Sequence, residues 1–243
     1  MTSRLRADRL LVERGLFASR AKAQAAISAG LVTANDIVVG KPSDEIPVDA
    51  ALSAAPAHPW VSRGGVKLAH ALDHFRFDPH GCACLDVGAS TGGFTEVLLT
   101  RGARRVYAVD VGRGQLDASL HGRPDVVSIE ATDVRGLDRT KLDEPPTFVV
   151  IDVSFISLKL VMSPALALAA RPTRLVALIK PQFEAGRGQV KKGMVRSAEV
   201  RARVCDEIAD FARSLGLSIA GIVPSPIAGG DGNAEFLLGA TCD

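Results

Sequence analysis

The chain has 243 residues, of which 47% are hydrophobic and 23% charged, and its formal net charge is +2. This composition belongs to globular proteins and excludes a disordered chain, and no apolar run reaches the roughly 18 residues of a membrane-spanning helix. A net charge so small does not by itself argue for nucleic acid, so the distribution of charge carries the reading.

Residues 1–24 hold six cations (Arg4, Arg6, Arg9, Arg14, Arg20, Lys22) against Asp8 and Glu13, a basic patch on a short segment. The opening MTSRLRADRL lacks the apolar stretch of a signal peptide, so a cytoplasmic location is expected. Cysteines at 82, 84, 205 and 242 give no disulfide framework, and Cys82 and Cys84 read as packing residues ahead of a buried strand. Leu5, Leu10, Leu11 and Val12 share one side of the helical repeat, which predicts an amphipathic helix over residues 4–14 ended by Gly15. Ser19 caps a second helix with a narrow stripe of Ala21, Ala25, Ala26 and Ile27, closed by Gly30. Residues 31–33 and 37–39 then flank Ala34-Asn35-Asp36, a hairpin turn in which Asn tolerates positive φ. Pro42, Pro47, Pro56 and Pro59 break up the stretch that follows, which predicts a small domain over 1–50, a linker over 51–62 and a large domain over 63–243.

In the large domain, LDVG at 85, VYAVD at 106, VVSI at 126, FVVIDV at 148 and LVALIK at 175 alternate with helical patterns. SIAGIV at 218 and EFLLGA at 235 supply two closing strands. The expected fold class is α/β, a Rossmann-like, doubly wound and mostly parallel seven-stranded sheet.

The first strand leads into Asp86-Val87-Gly88-Ala89-Ser90-Thr91-Gly92-Gly93-Phe94, a glycine turn at a helix start that lets a nucleoside approach the backbone. The spacing is not G-x-G-x-x-G, which argues against a pyrophosphate. Asp110, Asp133 and Asp152 end the next three strands, and with Asp86 they surround the crevice with carboxylates that favour a sulfonium cation. The plainer alternatives are a turn that only tightens packing and carboxylates that only cap helices.

Lys67 opens a helix in SRGGVKL, and Lys180 is held at the carboxyl edge of a central strand by Pro181. Asp152 and Glu235 are available to orient the two amines. In-line methyl transfer from a sulfonium needs a well-placed alcohol oxygen more than a strong base, and such a constellation suits it. Two ordinary ion pairs are the plain alternative. His70 and His74 stand four apart on that helix without a third ligand, so no metal is expected.

The motifs LDVGASTGGF, DVSFISL, LIKPQFEAGRG and GNAEFLL, in this order after VSRGGVKL, resemble the TlyA family of ribosomal-RNA ribose 2′-O-methyltransferases, also labelled haemolysin A. The segment RADRLLVERGLFASRAKAQAAI, with GLV and GKPS, is similar to an S4-type RNA-binding domain, and the remainder to an FtsJ-type methyltransferase. The resemblance implies a Lys-Asp-Lys-Glu tetrad at Lys67, Asp152, Lys180 and Glu235. It implies S-adenosylmethionine as cofactor, held by Asp86, Gly88, Ala89, Ser90, Gly92, Phe94, Asp110 and Asp133 together with Ser62, Arg63 and Gly64. The implied substrate is cytidine in ribosomal RNA of assembled subunits, contacted by Arg6, Arg20 and Lys41, with Ala18 at a spot often basic.

His58-Pro59-Trp60-Val61 departs from the family's usual Arg-x-Trp-Val, and Met194 replaces a glycine. A carboxyl end like that of the family's shorter members leans towards large-subunit RNA. Phe155 reads either as an aromatic face for a nucleotide swung out of its helix or as core. Arg187, Lys191 and Lys192 read either as a loop over phosphate backbone or as a solvated loop. The haemolysin label leaves a membrane-active cytolysin as an alternative, and a non-catalytic RNA-binding protein is another.

Overall fold

In the computed structural model, which describes residues 3–229 and 232–243, the basic amino-terminal segment opens with a strand rather than a helix. The chain divides into two units, Met1–Pro59 and Trp60–Asp243. The first runs β1 (Arg4–Arg6), α1 (Ala7–Glu13), α2 (Arg20–Ser28), β2 (Val32–Ala34), β3 (Ile37–Val38), β4 (Glu45–Pro47) and β5 (Leu52–Ala54). The helix predicted from residue 4 starts only at Ala7, because β1 pairs antiparallel with β4 and sets Leu5 opposite Ile46. Ser19 Oγ accepts from the Lys22 amide at the start of α2, as its position predicts. Asn35 and Asp36 take φ of 50° and 63°, the twist that a two-residue hairpin between β2 and β3 requires.

Residues 52–54, read above as linker, instead pair with β2, Val32 opposite Ala54 and Ala34 opposite Leu52. The reason is the open edge of β2, whose backbone groups need partners that small extended residues can supply. Leu10, Leu11, Phe17, Ile27, Val32 and Ile46 fill the small core of this unit.

The second unit runs α3 (Gly64–Phe75), β6 (Ala83–Val87), α4 (Gly93–Thr100), β7 (Arg105–Val109), β8 (Val126–Ile129), β9 (Phe148–Ile151), α5 (Leu158–Leu168), β10 (Thr173–Ile179), α6 (Pro181–Glu184), α7 (Ala198–Ser214), β11 (Ser218–Pro224) and β12 (Phe236–Cys242). Its seven-stranded sheet has the order β11-β12-β10-β9-β6-β7-β8. The five strands from β6 to β10 are mutually parallel, and β12 joins antiparallel between β10 and β11. This is the doubly wound, mostly parallel sheet that the alternating pattern predicts.

Both faces of the central strands are buried, which is why they read as continuous apolar runs. Leu85, Val149, Ile151 and Leu175 pack with Met162 and Ile208 on one face, and Cys84, Phe148 and Val150 with Leu68, Leu72 and Val97 on the other. The chain leaves β6 towards β7 and β8, then returns to β9 on the opposite side. The order therefore reverses between β6 and β9, and a crevice opens beyond their carboxyl ends.

Candidate active site and nucleic-acid interface

The turn after β6 is shaped by close approach. Gly88 has φ of 85°, and a Cβ there would stand 2.4 Å from the Asp152 carbonyl oxygen at the end of β9. Only glycine lets the two strand ends come this near. Gly92, at φ of 92°, is glycine for another reason: a Cβ would meet Leu120 at 2.3 Å. It shapes the turn by packing and lines neither of the cavities described below.

Asp86 also sits beneath the turn and not in the crevice. Its side chain is fully buried, Oδ2 accepts from Thr95 Oγ1 at 2.7 Å, and Oδ1 has no hydrogen-bond partner. Burial pushes its carboxyl up to about 7 against the pull of the Thr95 hydroxyl, and Asp152 and Asp110 add to the rise.

Two adjoining cavities share Gly88, Ser90, Asp152 and Ser154 as walls. The first, about 280 Å³, takes Ser62, Arg63 and Gly64 on one side and Ala89 and Phe94 on the other. The second, about 390 Å³, is walled by Asp110 and Asp133. Asp110 Oδ2 accepts from the Ser90 amide at 2.8 Å and Oδ1 from the Gly112 amide at 2.7 Å. Each oxygen keeps acceptor capacity for a hydroxyl. Asp133 accepts a fork from Arg135, Nη2 at 2.6 Å, which holds its carboxyl below the usual carboxylate range.

The four tetrad candidates meet as two pairs. Lys67, on the first turn of α3, has Nζ 2.5 Å from Oε2 of Glu235, the residue before β12. Lys180 follows β10 directly and caps α6, which Pro181 starts, and its Nζ lies 2.6 Å from Asp152 Oδ1. That Oδ1 receives no well-directed hydrogen bond, so the contact is electrostatic, and the amine instead donates to Ser154 Oγ at 2.8 Å. Lys67, Asp152 and Lys180 line the first cavity. Glu235 stands behind Lys67 and faces a separate hollow of about 400 Å³. The sequence reading passed over Ser154; its signal was its place two residues beyond Asp152 on the same strand end.

Residues 60–242 match the family of FtsJ-like methyltransferases, and residues 5–51 match the S4 domain. Over 98% of its length and 90% of the relative's, the chain is 44% identical to the 16S/23S rRNA (cytidine-2′-O)-methyltransferase TlyA of Mycobacterium tuberculosis. The chain belongs to the TlyA family of methyltransferases. This TlyA-family chain is also 37% identical to Hemolysin A of Brachyspira hyodysenteriae, covering 96% of itself and 98% of that protein. A solved hemolysin-named chain from Streptococcus thermophilus, 39% identical, superposes with a TM-score of 0.78 over all of this chain and 90% of its own. Among the described residues, no helix is long and apolar enough to cross a membrane.

Of the remaining candidates in the TlyA-family chain, Phe155 is exposed at the rim of the second cavity, which it helps to line, and the other described ones lie elsewhere on the surface. Phe155 is 91% exposed at φ of 64°, with its ring 5.0 Å from that of Phe183. The core reading of Phe155 is thereby overturned: the turn after β9 throws the ring outward. Lys191 and Lys192 are exposed on a turn in which Lys192 and Gly193 have φ of 49° and 75°. The side chain of Arg187 lies outside the described residues. In the first unit Lys41 is exposed, while Arg6 and Arg20 are half-exposed and both bind Asp8. His70 and His74 are exposed on α3, with ring centroids 6.2 Å apart.

Proposed function

We propose that this chain transfers a methyl group from S-adenosylmethionine to the 2′-hydroxyl of a cytidine ribose in ribosomal RNA, on an assembled subunit in the cytoplasm. The observation that carries the reading is one cavity lined at once by the glycine turn of β6 and by Lys67, Asp152 and Lys180. The relative from Mycobacterium tuberculosis, named for this reaction, supports it.

S-adenosylmethionine, when bound, supplies an electrophilic methyl carbon on a sulfonium. The residues fit such a group, because the Gly88 turn admits no Cβ and Asp110 keeps free acceptor capacity beside it. In this reading Asp110 accepts from ribose hydroxyls, Asp133 and its neighbours flank the base, and Ser62, Arg63 and Gly64 hold the amino-acid end. Ala89, Ser90 and Phe94 wall the turn, while Gly92 and Asp86 support it from beneath.

The acceptor hydroxyl takes the place of Ser154 on the Lys180 amine, and its proton passes to the Asp152 carboxylate of that pair as the oxygen takes the methyl; the methyl–sulfur bond would break with its electron pair going to sulfur, which would leave as a neutral thioether. Lys67, fixed by Glu235, bounds the other side and limits the directions from which that oxygen approaches. Alignment of this kind, with charges set in advance, is the chain's main contribution to rate. Phe155 offers its open face to an unstacked base, and Arg6, Arg20, Lys41, Arg187, Lys191 and Lys192 contact phosphates.

Incubation with labelled S-adenosylmethionine and each ribosomal subunit, followed by mapping of alkali-resistant linkages, tests the proposal. Label at a cytidine 2′-oxygen is expected. Label confined to bases, or none on either subunit, contradicts it.

A further inference from the structure

Asp8 is the one residue of α1 whose charge is wholly enclosed: its side chain is 0% exposed, yet it touches three polar side chains. Arg6 donates Nε to Oδ1 at 3.1 Å and Nη2 to Oδ2 at 3.2 Å. Arg20, at the start of α2, donates Nη2 at 2.7 Å and Nε at 3.3 Å to Oδ2, and Gln24 adds Nε2 at 2.8 Å. The Arg6 hydrogen bonds above all hold the carboxyl well below the usual carboxylate range, against the opposing effect of burial. The backbone of the same residue reaches further, for the Asp8 amide donates to the Pro42 carbonyl at 3.1 Å, next to Lys41.

The geometry of the two forks matters more than their strength. Each guanidinium turns its Nε/Nη2 edge to Asp8, its Nη1 end has no partner among the described residues, and the side chains are 46% and 55% exposed. A guanidinium has five donors in a rigid plane, so fixing one edge fixes the direction of the other. Held this way, both free ends are ready to fork a phosphate without the rotamer entropy that loose arginines lose on binding.

We propose that Asp8 is a positioning residue for RNA docking, a buried anion that aims Arg6 and Arg20, and through Pro42 the Lys41 turn, at the phosphate backbone. This rests on the RNA-docking reading above. It also runs against simple electrostatics, by which an acid among phosphate-binding cations weakens RNA binding and its removal strengthens it.

The test is binding of the full-length protein to ribosomal subunits from cells lacking this methyltransferase, over a series of salt concentrations. Asp8→Asn, checked for fold by circular dichroism, is expected to weaken binding about tenfold, in the range of a lost charge-assisted contact. It should raise KM for subunits at unchanged kcat, with a salt dependence close to the parent's because both arginines remain. Unchanged or tighter binding by folded Asp8→Asn overturns the inference.

Should Asp8→Asn not fold, the Arg6→Lys, Arg20→Lys double variant decides, since lysine keeps charge but loses the fork. Weakening comparable with the Arg6→Ala, Arg20→Ala variant supports aiming; parental affinity overturns it. If Arg6→Ala, Arg20→Ala itself binds as the parent does, the docking reading fails, and the aiming inference fails with it.

Discussion

Lys67 and Glu235 stand 168 residues apart in sequence and 2.5 Å apart in the fold, with side chains 10% and 4% exposed. The pair ties the helix that precedes the sheet to the strand that closes it. Removing one partner of a buried pair leaves an uncompensated charge, at a cost of about 3–5 kcal/mol. Glu235→Ala is expected to lose stability on that scale in urea unfolding. The Lys67→Ala, Glu235→Ala double variant should lose clearly less than the sum of the single losses. Simple additivity would show that the two residues do not act as a unit.

Asp86 gives stability a pH dependence of unusual sign. In the unfolded chain its carboxyl loses its proton near the ordinary value of 3.8, whereas in the fold burial keeps the proton until about 7. Between those values the folded state binds more protons, so stability falls as pH rises through the window. Asp86→Asn, which still accepts from Thr95, should remove this part of the slope. Parallel pH profiles of parent and variant in chemical denaturation would refute the assignment.

Gly88→Ala combines positive φ with a Cβ 2.4 Å from a backbone oxygen. The left-handed conformation alone costs about 1–2 kcal/mol, and a backbone oxygen gives way less readily than a side chain. Calorimetric titration should find S-adenosylmethionine affinity reduced at least tenfold and the melting temperature lowered. Parental affinity would mean that the turn does not approach the cofactor.

Lys191 and Lys192 are assigned to phosphate contact. Removing both should weaken subunit binding uniformly and reduce the slope of log affinity against log salt by about 1 per cation. An unchanged slope would return this turn to the solvated-loop reading.

The large domain was legible because its central strands are buried on both faces and so read as unbroken apolar runs with Asp at their ends. The proposed grouping of Lys67, Asp152, Lys180 and Glu235 came from resemblance, since no local pattern says that Lys67 meets Glu235. Arg4 to Arg6 were misread because helical spacing cannot register a partner such as β4, forty residues on. Leu52 to Ala54 were misread because small residues near prolines look like linker until the open edge of β2 is known. Phe155 stayed ambiguous because apolar neighbours do not reveal a positive φ, and that φ puts the ring outside. Asp86 looked like a cofactor ligand from its motif, and only burial places it beneath the turn.

In the proposed reaction Lys180 acts on the acceptor hydroxyl and not on the cofactor. Lys180→Ala should therefore lose methyl transfer to ribosomal subunits by at least a hundredfold, within the ~10²–10⁴ range of positioned proton transfer. Its affinity for S-adenosylmethionine, measured by titration on the same preparation, should stay within about threefold of the parent, less than ~1 kcal/mol. Parental turnover in the folded variant would contradict the account, as would a loss of activity wholly explained by lost cofactor binding.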